Sequence, residues 1–188
     1  MGLLTRVGPF RSGATLLAAS AAWIPAVLMA QTPASRAEYE VKSAYLYSFL
    51  QFTAWPPGTF EPGDPIHLCV LGDDPMGDLL PQVLGDRRVE GREIRIVPIS
   101  RLVEVDRCHA AFIAQRNTIP AREWLARLGS RPVLTIGEGS HFTEEGGMVA
   151  LVVVGETVRF EVNRSALRRA GVDLSSRVLR LALRVLDG

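Results

Sequence analysis

The chain predicts an α/β domain, a three-layer αβα sandwich whose mainly parallel, mixed sheet carries a C-terminal β-hairpin. Three observations lead there. Short apolar runs at residues 66–71, 110–114 and 133–136 have strand length and no polar face, which suits a parallel sheet covered on both sides. Segments with helical length and punctuation lie between them, the order expected of βαβ units. Residues 148–154 and 157–162 flank Gly155-Glu156, a two-residue turn of the Gly-first type, and so make a hairpin.

Taken in order, residues 35–52 form the first predicted helix. Ser35 and Glu38 have capping-box spacing, and Glu38 and Glu40 place negative charge on the first turn. Val41, Ala44, Tyr45, Phe49 and Phe52 recur at helical spacing and are expected to be its buried face, widened by Tyr47 and Leu50. Trp55-Pro56-Pro57 stops it. The run at 66–71 ends at Gly72-Asp73-Asp74-Pro75, where Asp73 or Asp74 is expected to cap a helix reaching about Leu84. Residues 93–99 and 157–162 alternate, as strands near a sheet edge do. Residues 120–128 read as a helix with Thr118 as its cap and Gly129 as its stop, and a short helical turn is expected after Gly137-Glu138-Gly139-Ser140. Asn163 is expected to cap a short helix ending at Gly171. Ser175 or Ser176 should cap a last helix over 177–186.

The first thirty residues have the layout of an export signal: Arg6 and Arg11, an uncharged apolar stretch over 12–29, then a polar turn at Gln31. The expected division is a signal peptide over 1–30 and one domain over 31–188, with a cut after Ala34 as the second option. An uncleaved anchor is the rival reading, because about 18 apolar residues just span a bilayer. About 155 residues then remain, enough for one core. They carry 19 basic and 20 acidic residues, a net charge of −1, which leaves no basic field for nucleic acid. Every basic residue except Lys42 is arginine.

Cys69 and Cys108 are the only cysteines. In an oxidising compartment a lone pair reads first as a disulfide, with two buried free thiols as the alternative. Closing a loop of that length contributes about 4 kcal/mol in the chain-entropy model. No C-x-x-C is present for thiol chemistry. Asp73 and Asp74 end a strand, but a phosphoacceptor pocket also needs a later acid and a lysine, and the third strand ends in Gln115-Arg116. Gly137-x-Gly139 lacks the third glycine of the dinucleotide fingerprint, since position 142 is Phe142. His67, His109 and His141 have no metal-ligand spacing, and no G-x-S-x-G occurs. No catalytic set, metal or cofactor is therefore expected. Arg159, Arg164, Arg168, Arg169 and Arg177 gather in the last third. They are either a solvated face or a surface for an acidic partner or ligand. Arg159, Arg168, Arg169 and Arg177 are the candidate partner-binding residues.

Three stretches carry a resemblance: residues 40–56 (EVKSAYLYSFLQFTAWP), 68–77 (LCVLGDDPMG) and 159–182 (RFEVNRSALRRAGVDLSSRVLRLA). With Cys108-His109 and Gly146-Gly147-Met148, they make residues 38–186 resemble the YfiR family of bacterial periplasmic proteins. The resemblance implies a periplasmic inhibitor of an inner-membrane diguanylate cyclase, bound to its periplasmic part and lowering cyclic-di-GMP. It also implies sequestration by an outer-membrane, peptidoglycan-binding lipoprotein, and a homodimer. Cys69 and Cys108 fall where the family places one disulfide. A second pair found nearer the hairpin in some members is absent here. The alternative is a periplasmic small-ligand-binding protein using the crevice near Asp73 and Gly137.

Overall fold

The computed structural model describes Gly2 and residues 36–187. Apart from Gly2, the expected signal segment lies outside the described residues, and so does Ser35 of the expected capping box. Helix α1 (Arg36–Gln51) leads into the two-residue strand β1 (Thr53–Ala54). Then come β2 (Ile66–Leu71), α2 (Leu79–Leu84), β3 (Arg88–Val89), β4 (Arg92–Ile99), a 3₁₀ helix (Leu102–Arg107), β5 (Ala110–Ile113), α3 (Ala121–Leu128), β6 (Leu134–Glu138) and α4 (His141–Glu144). The chain ends with β7 (Val149–Val154), β8 (Thr157–Asn163), α5 (Arg164–Ala170), β9 (Asp173–Leu174), α6 (Ser176–Leu179) and β10 (Arg184–Leu186).

Eight strands form one sheet in the order β10-β8-β7-β6-β5-β2-β4-β3, and β1 pairs with β9 separately. β4, β2, β5, β6 and β7 are mutually parallel neighbours, and β7–β8 and β3–β4 are antiparallel. The mixed, mainly parallel sheet expected from the sequence is the one observed. Period-two alternation divides its side chains between two cores. Leu68, Val70, Phe112, Leu134, Ile136, Leu151 and Phe160 face α1, α2, α5 and α6. Cys69, Leu71, Ile113, Ala150 and Val152 face the 3₁₀ helix, α3 and α4. The alternating strands β4 and β8 each lie one place in from an edge, covered by the short β3 and β10.

Local chemistry explains several boundaries. Asn163 Oδ1 accepts from the Ala166 backbone N–H at 2.9 Å and caps α5, which ends at Gly171. Gly155 has φ +61°, the value a Gly-first hairpin turn requires. The Phe142 ring lies where a Cβ on Gly137 or Gly147 would fall, so both positions must stay bare for α4 to dock on β6 and β7.

Four expectations are corrected. The last helix predicted over 177–186 stops at Leu179, and residues 184–186 form β10 instead, paired in parallel with β8. Every position from Val178 to Ala182 except Arg180 is apolar, so periodicity cannot separate helix from strand there. The open edge of β8 decides. The buried face of α1 is Lys42, Ser43, Leu46, Phe49 and Leu50, whereas Val41 and Ala44 are exposed. Two polar residues occupy that face because each finds a partner inside. α2 begins at Leu79, because Asp74 Oδ1 accepts from the N–H groups of Met76 and Gly77 and closes a turn first. Thr118 does not cap α3. Its N–H and hydroxyl turn to the Asp73 carboxylate, at 3.0 and 3.2 Å.

Candidate functional site

A cleft of about 440 Å³ opens at the carboxyl ends of β5 and β6 and along β7. Its floor is charged. Lys42, the chain's only lysine, reaches from α1 to Glu138 Oε1 at 2.5 Å and also pairs with Glu38 one helical turn earlier. The Lys42 and Glu138 side chains are 5% and 6% exposed. The second oxygen of Glu138 accepts the Gln115 backbone N–H at 2.8 Å, which ties β5 to β6. The Lys42 ammonium lies 4.6 Å from the centre of the Tyr39 ring.

The electrostatics follow from that placement. Burial pushes the Lys42 ammonium down, but hydrogen bonds to Glu138 and Glu38 outweigh it and hold its pKa above the usual lysine range. Burial and the neighbouring Glu138 carboxylate push the Tyr39 phenol up. Buried Glu161 on β8 also lines the cleft, and it takes Arg184 of β10 at 2.8 Å and the Thr143 hydroxyl at 3.4 Å. Lys42 is thus a fully paired cation with no free lone pair, suited to structure and recognition rather than to nucleophilic chemistry.

One wall of the cleft is apolar and open. Val153 and Val154, at the tip of β7, are 50% and 51% exposed, and Leu183 before β10 is 46% exposed. Leu181 nearby in sequence is 67% exposed. An apolar cluster beside buried ion pairs has the composition of a recognition surface, with an apolar centre and a polar rim.

The four candidate arginines are not brought together. Arg159 is exposed on β8 in register with Val152, close to the apolar tip. Arg168 and Arg169 are exposed on α5, at the other end of β8, about 13 Å along the strand at 3.3 Å per residue. Arg168 pairs with Asp187 at 3.6 Å. Arg177 is exposed on α6, on the helical layer that covers the α1 face. Cys69 and Cys108 are joined by a disulfide between β2 and the end of the 3₁₀ helix, and both are buried.

The crevice expected near Asp73 and Gly137 is filled. Asn117 donates to the Leu71 carbonyl at 2.5 Å and packs against Gly72, Asp73 holds Thr118, and Phe142 covers Gly137. The open volume lies one strand further on, at Glu138. Sequence reasoning missed Glu138 and Glu161 as site residues, and it marked Lys42 only as the single lysine among arginines. A lone lysine on a helix otherwise buried was the available signal. Among the described residues no group of three His, Cys, Asp or Glu side chains could hold a metal ion.

The sequence model of the family described as YfiR/HmsC-like matches residues 39–183. Among solved structures, the chain is similar to a conserved domain protein from Vibrio cholerae O1 biovar eltor str. N16961, with a TM-score of 0.55 and 11% identity. That match covers 79% of this chain, and the chain spans 60% of the Vibrio protein's length. The likeness is one of fold. A weaker one, with a TM-score of 0.47 and 11% identity over 64% of this chain and 55% of the other, is to the ABC domain from Streptococcus pneumonia in complex with L-Trp.

Proposed function

The chain belongs to the YfiR/HmsC-like family, whose members are periplasmic regulators in diguanylate cyclase signalling, and from that premise we propose that it inhibits an inner-membrane diguanylate cyclase by binding its periplasmic part. The observation that carries this reading is the family match over residues 39–183, almost the whole of the expected mature chain. Inhibition by binding is a population shift: the inhibitor favours one receptor state by the difference between its affinities for the two. Such a protein needs a recognition surface and no catalytic set. The exposed Val153, Val154 and Leu183 beside the Lys42–Glu138 and Arg184–Glu161 pairs supply one, with Arg159 on its rim. Export by the N-terminal segment, homodimer formation and sequestration by an outer-membrane, peptidoglycan-binding lipoprotein belong to the same reading. No helix among the described residues is long and apolar enough to cross a membrane.

A membrane pull-down with the mature domain should recover a protein with a cyclase domain, and deleting the gene should raise cyclic-di-GMP and surface-attached growth. Unchanged cyclic-di-GMP with no cyclase recovered would remove the inhibitor reading. The second reading, a periplasmic small-ligand-binding protein, is favoured by the volume of the same cleft, which lies within the range of small-molecule sites. Recovery of a small molecule from the purified domain, lost in Val153→Asp, would support it.

A further inference from the structure

Two histidines meet at the amino ends of β2 and β5, beside the disulfide. His67 lies two residues before Cys69, and His109 directly follows Cys108. Their rings stack with centres 5.4 Å apart and planes 19° from parallel. The backbone N–H of His67 donates to His109 Nδ1 at 3.0 Å. A ring nitrogen that accepts carries no proton, so His109 is neutral here, with its proton on Nε2. His67 Nδ1 lies 3.0 Å from the Arg107 carbonyl, a contact that only a protonated ring nitrogen satisfies.

His109 also holds the loop over residues 55–65. The Trp55 indole N–H donates to the His109 carbonyl at 3.0 Å, and the Phe60 ring lies 4.5 Å from the imidazole, centre to centre. The Arg92 guanidinium lies over Phe60 and donates to the carbonyls of Glu61 and Asp64 at 3.0 and 2.8 Å. The loop is fixed at both ends, by β1 pairing with β9 and by β2 within the sheet. Between those ends it rests on His109 and Arg92, while Trp55 and Phe60 also pack against the core and Pro56 lies beside Gly171.

We infer that the His67–His109 pair is an acid-sensitive clasp on this loop: protonation of His109 removes the acceptor for the His67 N–H and unseats the ring against which Phe60 packs, while the Cys69–Cys108 bridge keeps β2 and β5 joined. The groups that face His109 are His67 on β2, Asp64 in the loop and Arg92 on β4, with Arg107 of the 3₁₀ helix contributing its carbonyl to His67. Burial lowers the His109 pKa most, and His67 adds to it. Asp64 opposes them, and Arg92 lowers it further. Opening returns His109 toward the ordinary histidine value of about 6.5. Opening therefore grows by up to about tenfold per pH unit as pH falls from there to the closed-state value, then levels off.

The test is amide hydrogen exchange on the mature chain between about pH 7.5 and 5, corrected for the intrinsic pH dependence of exchange, beside an NMR titration of the imidazoles. Protection of the His67 amide and of residues 55–60 should fall as pH drops from about 6.5 toward the His109 midpoint and level off below it, while α1 stays unchanged. In His109→Asn, whose Oδ1 stands where Nδ1 accepts and does not titrate, the dependence should vanish. Protection that stays flat between about pH 6.5 and the His109 midpoint, or a dependence that survives in His109→Asn, overturns the clasp. If His109→Asn does not fold, the wild-type profile decides: its fall must end at the His109 midpoint.

Discussion

The two ends of the sheet hold polar side chains in opposite ways, the first buried and the second half-buried. At the carboxyl ends of β5 and β6, Lys42 and Glu138 are buried as ions, each the other's partner across 96 positions of sequence. At the amino ends of β2 and β5, His67 and His109 meet across 42 positions, and His109 is held as a neutral ring. In the first arrangement the Lys42 charge is held, because its pKa is pushed above the usual lysine range. The second withholds charge, because burial and a histidine neighbour push His109 down. A polar pair is rigid where opposite charges neutralise each other and responsive where a titratable group is kept neutral.

Lys42→Met is the harshest way to break the contrast. It leaves Glu138 and Glu38 without their ammonium, with Glu138 still buried. It should cost about 3–5 kcal/mol in denaturant unfolding, the range for removing one partner of a buried pair. Adding Glu138→Leu to that variant should recover part of the loss, and a double variant no more stable than Lys42→Met would show that the pair is not what is being lost.

At the histidine end the comparable variant is Cys69→Ser. Opening the bridge should lower stability by about 2–5 kcal/mol, read from the same unfolding curves, and reducing agent should do the same to the native protein but not to the variant. The cause differs from that of Lys42→Met: chain entropy is released in the unfolded state, and no charge is left stranded.

The pH dependence of stability is smaller and its sign is set. His109 has a lower pKa folded than unfolded, so the unfolded chain binds more protons between the two values. The contribution is fully present above about pH 6.5 and is lost as pH falls toward the folded value. His109 adds a slope of at most one proton, which the Lys42 pair does not share. His109→Asn should flatten the wild-type profile near pH 6, as followed by thermal melts.

The smallest effect on the fold is expected from Arg159→Glu. Arg159 is exposed on β8, so unfolding free energy should move by less than about 0.5 kcal/mol. Association with a membrane partner should slow and become less salt-dependent if the hairpin tip is the binding face. The same change at Arg168, Arg169 and Arg177, away from that tip, should leave the association rate unaltered. Equal effects at all four positions would move the face to the helical layer.

Much of the fold could be read before any coordinates, for local reasons. β2, β5 and β6 announce themselves because strands covered on both faces must be apolar throughout. The hairpin follows from Gly155-Glu156, and α5 from Asn163 and Gly171, each acting through its own backbone neighbours. Other elements have no local signal. β1 and β9 are two residues long and exist only as each other's partner. The β3–β4 turn is only half marked: Gly91 takes φ +80°, but Glu90 stands at φ +52°, where asparagine or glycine is the usual residue. β10 is a strand because β8 leaves an edge to pair.

The sequence by itself settled the α/β class, the order of the central elements and the absence of a familiar catalytic motif, because periodicity, turn residues and composition act over a few positions; the family came from the resemblance of residues 40–56, 68–77 and 159–182. Tertiary structure alone decided which face α1 buries, since Lys42 can enter a core only where Glu138 waits for it, and Ser43 only where Met76 accepts its hydroxyl at 3.4 Å. It also moved the open cleft from Asp73 to Glu138, scattered the arginines along β8, α5 and α6, and set His109 against His67. These are outcomes of long-range contact, and the cost of burying a polar group can be judged only once its partner is known.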